Sequence, residues 1–215
     1  MLKAILWDND GVLVDTEHLY FRACREALAR VDIELSEERF IDLFLKKSEG
    51  LSALMRERGL SGDVLETCTR WRNARHAELL REGVPVLDGV REVLAELQGR
   101  VRMGIVTSCR REHFEIVHAD TDLLPYFDFV LVREDYGESK PNPEPYLEAM
   151  RRNDLTAAEC LVVEDSDRGL RAALAAGVRC AAIPQGMTRG FDFRGAWRVL
   201  ESIREVPDLV DELSR

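Results

Sequence analysis

Acidic residues follow two of the apolar runs in this 215-residue sequence. The first run leads into Asp8 and Asp10, and a later run leads into Glu164 and Asp165. If both runs are strands of one open parallel sheet, these residues lie at its carboxyl edge, where such sheets bind ligands. Asp8 and Asp10 are two positions apart, so their side chains can face one cavity. Converging carboxylates repel each other, a bound divalent cation relieves that repulsion, and oxygen ligands select Mg²⁺.

Hydroxyl groups and one lysine follow other predicted elements. Thr107 and Ser108 come directly after an apolar run, and Lys140 precedes the proline-containing start of a predicted helix. Hydroxyls, backbone N–H groups and a lysine suit an oxyanion such as phosphate. Each signal also has a purely structural interpretation: a solvated turn for the aspartates, helix caps for the hydroxyls, and a surface charge for Lys140. It is the order of the four signals along the chain that favours a phosphate site.

Five apolar runs without polar alternation must position these residues. Such runs are typical of parallel strands covered by helices on both faces of a sheet. Helical patterns separate the later runs, so the sequence predicts an α/β fold with a doubly wound parallel sheet. The predicted strands are Leu2–Trp7, Val101–Val106, Phe129–Val132, Cys160–Val163 and Cys180–Ile183.

A long stretch after the first run has helical periodicity and no strand-like segment. We interpret residues 15–83 as a small α-helical cap domain inserted into a core domain of residues 1–14 and 84–215. The linkers would lie near Val14–Thr16 and Gly83–Val86. Motion about these linkers is expected to open and close the site, as lids do in other enzymes.

Composition narrows the classes of partner. Lys and Arg total 30 and Asp and Glu total 40, a formal net charge of −10, which excludes a basic nucleic-acid-binding footprint over the whole chain. The five cysteines are scattered, without a C-x-x-C pair, which argues against a disulfide framework and a zinc site. No apolar run approaches the ~20 residues that span a membrane. We therefore predict a cytoplasmic protein without a membrane or nucleic-acid partner, and a monomer by default.

Four segments together resemble the motifs of the haloacid dehalogenase superfamily. They are Asp8–Thr16, Val106–Ser108, Lys140–Pro143 and Val163–Ser166. The resemblance extends over nearly the whole chain and includes a helical cap after the first motif. It is strongest to the branch of β-phosphoglucomutase, phosphoglycolate phosphatase and small sugar-phosphate phosphatases.

The resemblance implies roles for the acidic residues. Asp8 would be the nucleophile that forms an aspartyl-phosphate, and Asp10 would be the general acid and then the general base. Mg²⁺ would be held by the carboxylates of Asp8 and Asp165 and by the backbone carbonyl of Asp10, with Glu164 bound to the ion or next to a ligand. Asp167 fits a ligand role less well.

The resemblance also implies contacts with substrate. Thr107 and Lys140 would hold the transferring phosphoryl group, with Ser108 assisting. Members of the family place cations on the long cap helix, and Arg72 and Arg75 lie on the corresponding predicted helix. A solvated helix face remains the alternative for these two arginines.

Two departures within the family indicate the reaction. Dehalogenases lack the second aspartate of the first motif, because a halide leaving group needs no proton, and Asp10 is present here. Tyr20 occupies a position that is commonly His in the mutases. We therefore predict a phosphatase of a small phosphorylated metabolite, a sugar phosphate or a phosphoglycolate-like acid. The alternatives are a phosphosugar mutase and a phosphate-binding module without turnover.

Three histidines have no ligand-like spacing and are assigned no chemistry: His76, His113 and His118.

Overall fold

A parallel sheet forms the centre of the molecule in the computed structural model, which describes residues 1–60 and 62–214. Within those ranges the sheet has six strands in the order β3-β2-β1-β4-β5-β6. They are β1 (Ala4–Trp7), β2 (Arg102–Val106), β3 (Phe129–Leu131), β4 (Cys160–Glu164), β5 (Arg179–Ala182) and β6 (Arg198–Val199). All five predicted strands are present, and the predicted α/β fold class is confirmed. Strand β6 was not predicted, because it has only two residues, both exposed, and therefore shows no apolar run.

Helices connect the strands and cover the sheet. They are α1 (Glu17–Ala29), α2 (Glu37–Phe40), a π-helix (Ile41–Lys46), α3 (Gly50–Glu57), α4 (Asp63–Arg81), α5 (Val90–Leu97), α6 (Arg111–His118), α7 (Glu144–Arg152), α8 (Asp167–Ala175) and α9 (Val206–Ser214). None of the helices in the described ranges is long and apolar enough to cross a membrane.

Both faces of the sheet are buried, which explains the absence of polar alternation in its strands. Ile5 and Trp7 of β1 belong to an apolar cluster that includes side chains of α5 and α9. Ala4 and Leu6 of the same strand belong to a second cluster that includes side chains of α7 and α8. Successive side chains of β1 thus pack on opposite helical layers.

Helices α1 to α4 lie between β1 and α5 along the chain and have an apolar cluster of their own. Its buried members include Cys24, Leu28, Phe40 and Phe44. The phenyl rings of Phe40 and Phe44 stack with centroids 4.9 Å apart. This arrangement agrees with the predicted helical insertion, while its exact division from the core at residues 14/15 and 83/84 stays a prediction.

The two chain segments that join the insertion to the sheet run side by side. Val14 and Val86 form an antiparallel β-bridge. The backbone N–H of Asp15 donates to the carbonyl of Pro85 at 3.1 Å, and that of Leu87 donates to Leu13 at 3.0 Å. The insertion therefore enters and leaves at one place, next to the end of β1.

Candidate active site

A tight loop after β1 carries both aspartates of the first motif. The carbonyl of Asn9 accepts hydrogen bonds from the backbone N–H groups of Leu13 at 2.8 Å and Val14 at 3.2 Å, so the chain turns back at once. The N–H of Asp8 still continues the sheet and donates to Val163 of β4 at 2.9 Å. Asp8 is therefore held at the carboxyl edge, beside the acidic residues that follow β4.

Two threonines orient the carboxylate of Asp10. Thr16 Oγ1 donates to Asp10 Oδ1 at 2.5 Å, and Thr107 Oγ1 donates to Asp10 Oδ2 at 3.1 Å. Thr107 Oγ1 also accepts a hydrogen bond from the backbone N–H of Cys109 at 2.9 Å, and the residue is buried. The sequence analysis placed Thr107 on the phosphoryl group, whereas here its single hydroxyl hydrogen is directed at Asp10.

Lys140 forms hydrogen bonds with two of the acidic residues, Asp8 and Glu164. Its ammonium donates to Asp8 Oδ1 at 2.9 Å, to the carbonyl of Val106 at 2.7 Å and to Glu164 Oε1 at 2.7 Å. The side chain is only 1% exposed. Burial would lower its pKa, but the carboxylates of Asp8 and Glu164 outweigh burial and raise it. Lys140 is therefore a permanent positive charge beside Asp8.

Glu164 is a fully buried carboxylate with hydrogen bonds to both of its oxygens. Besides Lys140, the hydroxyl of Tyr146 donates to Oε1 at 2.7 Å, and Ser166 Oγ donates to Oε2 at 2.9 Å. Burial works to raise its pKa, but the charge of Lys140 and these hydrogen bonds lower it overall. Glu164 is therefore held ionised and in one orientation.

Three buried carboxylates converge at the edge of the sheet. Asp8, Glu164 and Asp165 each offer an oxygen, and these oxygens lie within 4.8 Å of one another. Burial and the charge of Glu164 raise the pKa of Asp8 to about 7. Burial and the neighbouring carboxylates, Glu17 first among them, raise the pKa of Asp165 well above its usual range. The charge of Lys140 at Asp8 and that of Arg168 at Asp165 do not offset these effects. An all-oxygen set of this kind fits Mg²⁺.

Two glycines allow the backbone to approach these carboxylates. Gly11 has a φ of +81°, and a Cβ built on it would overlap the carboxylate of Asp165. A Cβ at Gly169, in the first turn of α8, would overlap the carboxylate of Glu164. The absent side chains thus leave the space in which the two acidic groups lie.

A cavity of about 610 Å³ lies between the sheet edge and the helical insertion. Asp10 and Lys140 line it from the core, and Ser108 contributes a buried hydroxyl. Within the described chain that hydroxyl has no hydrogen-bond partner. Other residues that line the cavity include Glu17, Tyr20, Ser48, Arg72, Asn73, Cys109 and Arg168. The cavity can therefore enclose a small molecule larger than phosphate, next to Asp10.

The structure separates the two arginines of the long insertion helix α4. Arg72 lines the cavity, and its Nη1 donates to the hydroxyl of Tyr20 at 2.7 Å. Arg75 is instead paired with Glu26 at 2.5 Å and Glu78 at 2.9 Å, and it is not among the residues that line the cavity. Of the three insertion residues predicted to contact substrate, Tyr20 and Arg72 line the cavity and Arg75 does not. The contacts themselves stay a prediction.

Glu17 and Arg168 are two of the cavity residues that the sequence analysis missed. Glu17 is in the first turn of α1, and Arg168 is in the first turn of α8. Burial raises the pKa of Glu17 to about 7, against the lowering effect of the Arg168 charge. The sequence could have indicated them, because both lie in the first turn of a helix that directly follows a loop at the carboxyl edge of the sheet.

The three histidines are buried on the core side of the molecule or beside the cavity. Nδ1 of His76 and Nδ1 of His113 are 3.3 Å apart, and both residues line the cavity. His118 Nε2 lies 2.8 Å from Oδ1 of Asn9, the residue between the two aspartates. None of the three is in the group of carboxylates that could hold a metal. Their visible role is to pack and to support the loop after β1.

Comparison with known proteins agrees with this geometry. The model of the haloacid dehalogenase-like hydrolases matches residues 5–183. Protein CbbY of Rhodobacter capsulatus is 31% identical over 226 residues, covering 99% of each chain. The phosphorylated carbohydrates phosphatase of Thermotoga maritima is 31% identical over 180 residues, covering 82% of each chain.

Solved structures show the same architecture. A crystal structure of a mutant CbbY from Rhodobacter sphaeroides, in complex with xylulose-(1,5)bisphosphate, matches with a TM-score of 0.83 and 29% identity, covering 94% of this chain and 95% of that one. The family match and the phosphatase among the relatives confirm the prediction of an enzyme of the phosphoric monoester hydrolase kind. The chain belongs to the haloacid dehalogenase-like hydrolases.

Proposed function

We propose that this protein is a Mg²⁺-dependent phosphatase that hydrolyses a small phosphorylated sugar through an aspartyl-phosphate on Asp8. One observation carries the proposal: Asp8 is bound to Lys140 and grouped with two further carboxylates, and Lys140 and Asp10 both line the cavity. A pure phosphate-binding module would need neither a second aspartate nor a metal-binding group of acids. The arrangement therefore favours turnover over binding alone.

The metal would be held by the carboxylates of Asp8 and Asp165 and by the backbone carbonyl of Asp10, with Glu164 at or next to the ion. The buried, mutually repelling oxygens described above support this choice. When bound, Mg²⁺ supplies positive charge that screens the anionic nucleophile from the anionic phosphate. Lys140 supplies a second, fixed positive charge at Asp8.

In the first step an oxygen of Asp8 attacks the phosphorus, and the bond from phosphorus to the leaving alcohol oxygen breaks. Asp10, in its protonated form, donates its proton to that oxygen, so the product leaves as a neutral alcohol. The hydrogen bonds from Thr16 and Thr107 hold the Asp10 carboxylate in place for this transfer. Asp8 now carries the phosphoryl group, and Asp10 is ionised.

In the second step water attacks the phosphorus of the aspartyl-phosphate. Asp10 accepts a proton from that water, and the bond between phosphorus and the Asp8 oxygen breaks. Inorganic phosphate is released, Asp8 regains its carboxylate, and Asp10 regains its proton. The cycle consumes one water and one phosphoric monoester and yields one alcohol and one phosphate.

The proposed substrate class rests on the cavity and on the relatives. The space of about 610 Å³ accommodates a phosphorylated sugar, and the Thermotoga maritima relative is a phosphatase of phosphorylated carbohydrates. Tyr20 and Arg72 line the cavity from the insertion, and in this proposal they contact the sugar. We also propose that residues 15–83 act as a cap that excludes water by moving on the paired segments around Val14 and Val86.

The test is phosphate release from p-nitrophenyl phosphate and from a panel of sugar phosphates, with millimolar Mg²⁺ and with excess EDTA. We expect release that depends on Mg²⁺ and is fastest with one class of sugar phosphate. Conversion of a sugar phosphate to its isomer without phosphate release would show a mutase instead. Binding without any turnover would show a phosphate-binding module.

A further inference from the structure

Two buried histidines join the helical insertion to the core at the wall of the cavity. His76 is on α4 of the insertion and His113 is on α6 of the core, and both line the cavity. Nδ1 of one ring lies 3.3 Å from Nδ1 of the other, and His113 Nε2 lies 3.1 Å from the carbonyl oxygen of Asn73 on α4. His113 thus reaches α4 with both of its ring nitrogens.

The carbonyl of Asn73 determines which ring nitrogens carry hydrogen. A carbonyl oxygen only accepts, so Nε2 of His113 must donate to it, and Nδ1 of a neutral His113 is then an acceptor. Nδ1 of His76 therefore donates to Nδ1 of His113. The same assignment leaves a lone pair on Nε2 of His76, which is buried and has no partner within residues 1–60 and 62–214. Both histidines are neutral in this arrangement.

The contact connects two parts of the site. On the core side, α6 follows the loop of Thr107, whose hydroxyl donates to Asp10. On the insertion side, Asn73 follows Arg72 in the chain, and both of these residues line the cavity. Because His113 bonds to the backbone of α4, it holds the helix itself and not only one of its side chains. His113 therefore helps to fix where Arg72 lies relative to the sheet edge.

The histidine pair can take up one proton but not two without losing this contact. A proton added to Nε2 of His76 leaves the hydrogen between the two Nδ1 atoms unchanged. A second proton would have to bind Nδ1 of His113, so that two N–H groups and two positive charges would face each other across 3.3 Å. The contact through Nδ1 is then broken.

The surroundings of His76 favour its neutral form. The pKa of His76 is lowered to about 4, first by burial and then by the charge of His113. The charge of Arg72 lowers it further, and only the charge of Asp10 raises it. The ring of Tyr20 on α1 is packed edge-on against it with centroids 5.2 Å apart, and Tyr20 stays neutral because burial raises its pKa to about 12.

Burial is also the largest influence on His113, and it lowers the pKa of that ring. The hydrogen bond to Asn73 and the charge of Glu112 raise this pKa, while the charges of Arg110 and Arg72 lower it. A histidine released into water has a pKa of about 6.5 and binds a proton more readily than the buried one. The stabilising effect of the contact is therefore complete above about pH 6.5 and is lost as the pH falls below it.

We propose that His113 is a positioning residue that holds α4 in place for substrate binding, and that its contact with α4 breaks as the pH falls below about 6.5. The first half of this inference rests on the proposed phosphatase function, whereas the second half does not. Since α4 lines the cavity away from the reacting aspartates, loss of the contact raises KM more than it lowers kcat.

Kinetics of matched variants test the positioning role. His113→Leu removes both contacts, and His113→Gln retains an amide N–H for the Asn73 carbonyl. His18→Gln is the control, because His18 is an exposed histidine of the insertion that does not line the cavity. At pH 7.5, His113→Leu should raise KM for the best sugar phosphate about 3- to 10-fold, with kcat changed by less than about twofold. His113→Gln should recover most of this loss, and His18→Gln should match wild type. An unchanged KM in His113→Leu, or a fall in kcat alone, would overturn the positioning role.

The ratio of the KM of His113→Leu to the KM of wild type tests the proton dependence. Effects of pH on the substrate, and on residues common to both proteins, cancel in this ratio. Between pH 7.5 and 5.5 the ratio should fall by about half or more, because acid removes the contact from wild type as well. A ratio that does not change with pH is the result of a purely structural role, and it would overturn this half of the proposal.

Nuclear magnetic resonance decides the contact without any turnover. The chain has four histidines, so replacing them one at a time assigns their side-chain nitrogen signals. At pH 7.5 we expect hydrogen on Nε2 of His113 and on Nδ1 of His76, and both rings should titrate below the value of about 6.5 for a histidine in water. Hydrogen on Nδ1 of His113 in place of Nε2, or titration of both rings at about 6.5, would contradict the proposal.

Folding and the proposed function are separated by the same set of experiments. Circular dichroism and thermal unfolding show whether His113→Leu is folded, and wild type and His113→Gln supply the KM and resonance data if it is not. If wild type releases phosphate from no substrate, the phosphatase proposal fails on its own. The resonance spectra then still show whether His113 binds α4 in a proton-dependent way.

Discussion

The sheet edge and the helical insertion face the same cavity but hold their side chains in different ways. At the edge, Asp8, Lys140 and Glu164 are joined by hydrogen bonds of 2.7 to 2.9 Å, and each is almost completely buried. On the insertion side, Arg72 reaches the cavity at the end of a long side chain and is bound to neutral partners, among them Tyr20.

This difference indicates a division of tasks. Asp8 and Glu164 are placed by the backbone at the ends of β1 and β4, and Lys140 is held by its hydrogen bonds to both. Small errors in their position would affect the proposed chemistry itself. The cavity residues of the insertion are held by contacts between side chains, such as that of Arg72 with Tyr20. In the proposed function they would contact parts of the substrate that do not react. Changes at the edge should therefore affect kcat most, and changes on the insertion should affect KM.

The largest expected effect tests the edge. Asp8→Asn keeps the shape of the side chain and removes the charge that attacks phosphorus, so kcat should fall by about 10⁴-fold or more. Intact-mass spectrometry after acid quench should find no added phosphoryl group with any donor. Normal turnover by this variant would rule out the covalent route.

The next effect separates the two aspartates. Asp10→Asn retains the nucleophile but lacks the proton donor, so phosphorylation by a monoester with a poor leaving group should slow by about 10² to 10⁴-fold. Acetyl phosphate has a leaving carboxylate that needs no proton, and it should still phosphorylate Asp8. Because the base for the second step is also lost, the adduct should accumulate and be visible by mass spectrometry. Wild-type rates with monoesters would refute the role of Asp10.

A smaller effect tests the close approach of backbone to the metal-binding acids. In Gly11→Ala the new methyl group would displace the Asp165 carboxylate. The Mg²⁺ concentration for half-maximal activity should then rise about 10- to 100-fold, the usual effect of disturbing the surroundings of a ligand. Gly59→Ala is the control, because Gly59 also has a positive φ, +68°, but nothing within 4 Å of its Cβ position. It should lose only about 1–2 kcal/mol of stability, and equal Mg²⁺ requirements would contradict the argument.

The smallest effect tests the insertion. Arg72→Gln should raise KM for the best sugar phosphate about tenfold, because a charged donor to the substrate is lost, with little change in kcat. Arg75→Gln, one turn further along the same helix, removes a charge from exposed ion pairs and should change KM by less than about threefold. Steady-state kinetics of both variants decides this, and a larger effect for Arg75 would mean that the helix turns its other face to the substrate.

Strand ends were predictable, because continuous apolar runs mark buried parallel strands and the residues after them must lie at one edge. Asp8, Thr107 and Asp165 were found in this way. Lys140 was singled out by its place before a predicted helix and by the order of the signals along the chain, because its local pattern alone does not distinguish it from a surface lysine. The sequence could not show that Thr107 donates to Asp10, because that contact depends on how two loops meet.

The cavity side chains of the insertion were less predictable, for a physical reason. Arg72 and Arg75 are three positions apart and share one side of the helix in any sequence-based projection. Only Arg72 lines the cavity, because Arg75 forms an ion pair with Glu26, which lies on another helix. Arg168 was missed because a charged residue in a first helical turn is usually solvated, and only the packing of α8 against the site shows otherwise.

The pairing of Val14 with Val86 has a consequence for how such a protein can change over time. Since the insertion starts and finishes at adjacent points, its length and internal design place no strain on the sheet, and a short turn would be enough to replace it. The insertion can therefore be exchanged as a unit. The best point to cut the chain is after Thr16, because Thr16 still donates a hydrogen bond to Asp10. A lineage, or a protein engineer, can graft a new set of helices at this point and redirect the enzyme to another substrate without redesigning the hydrolytic chemistry.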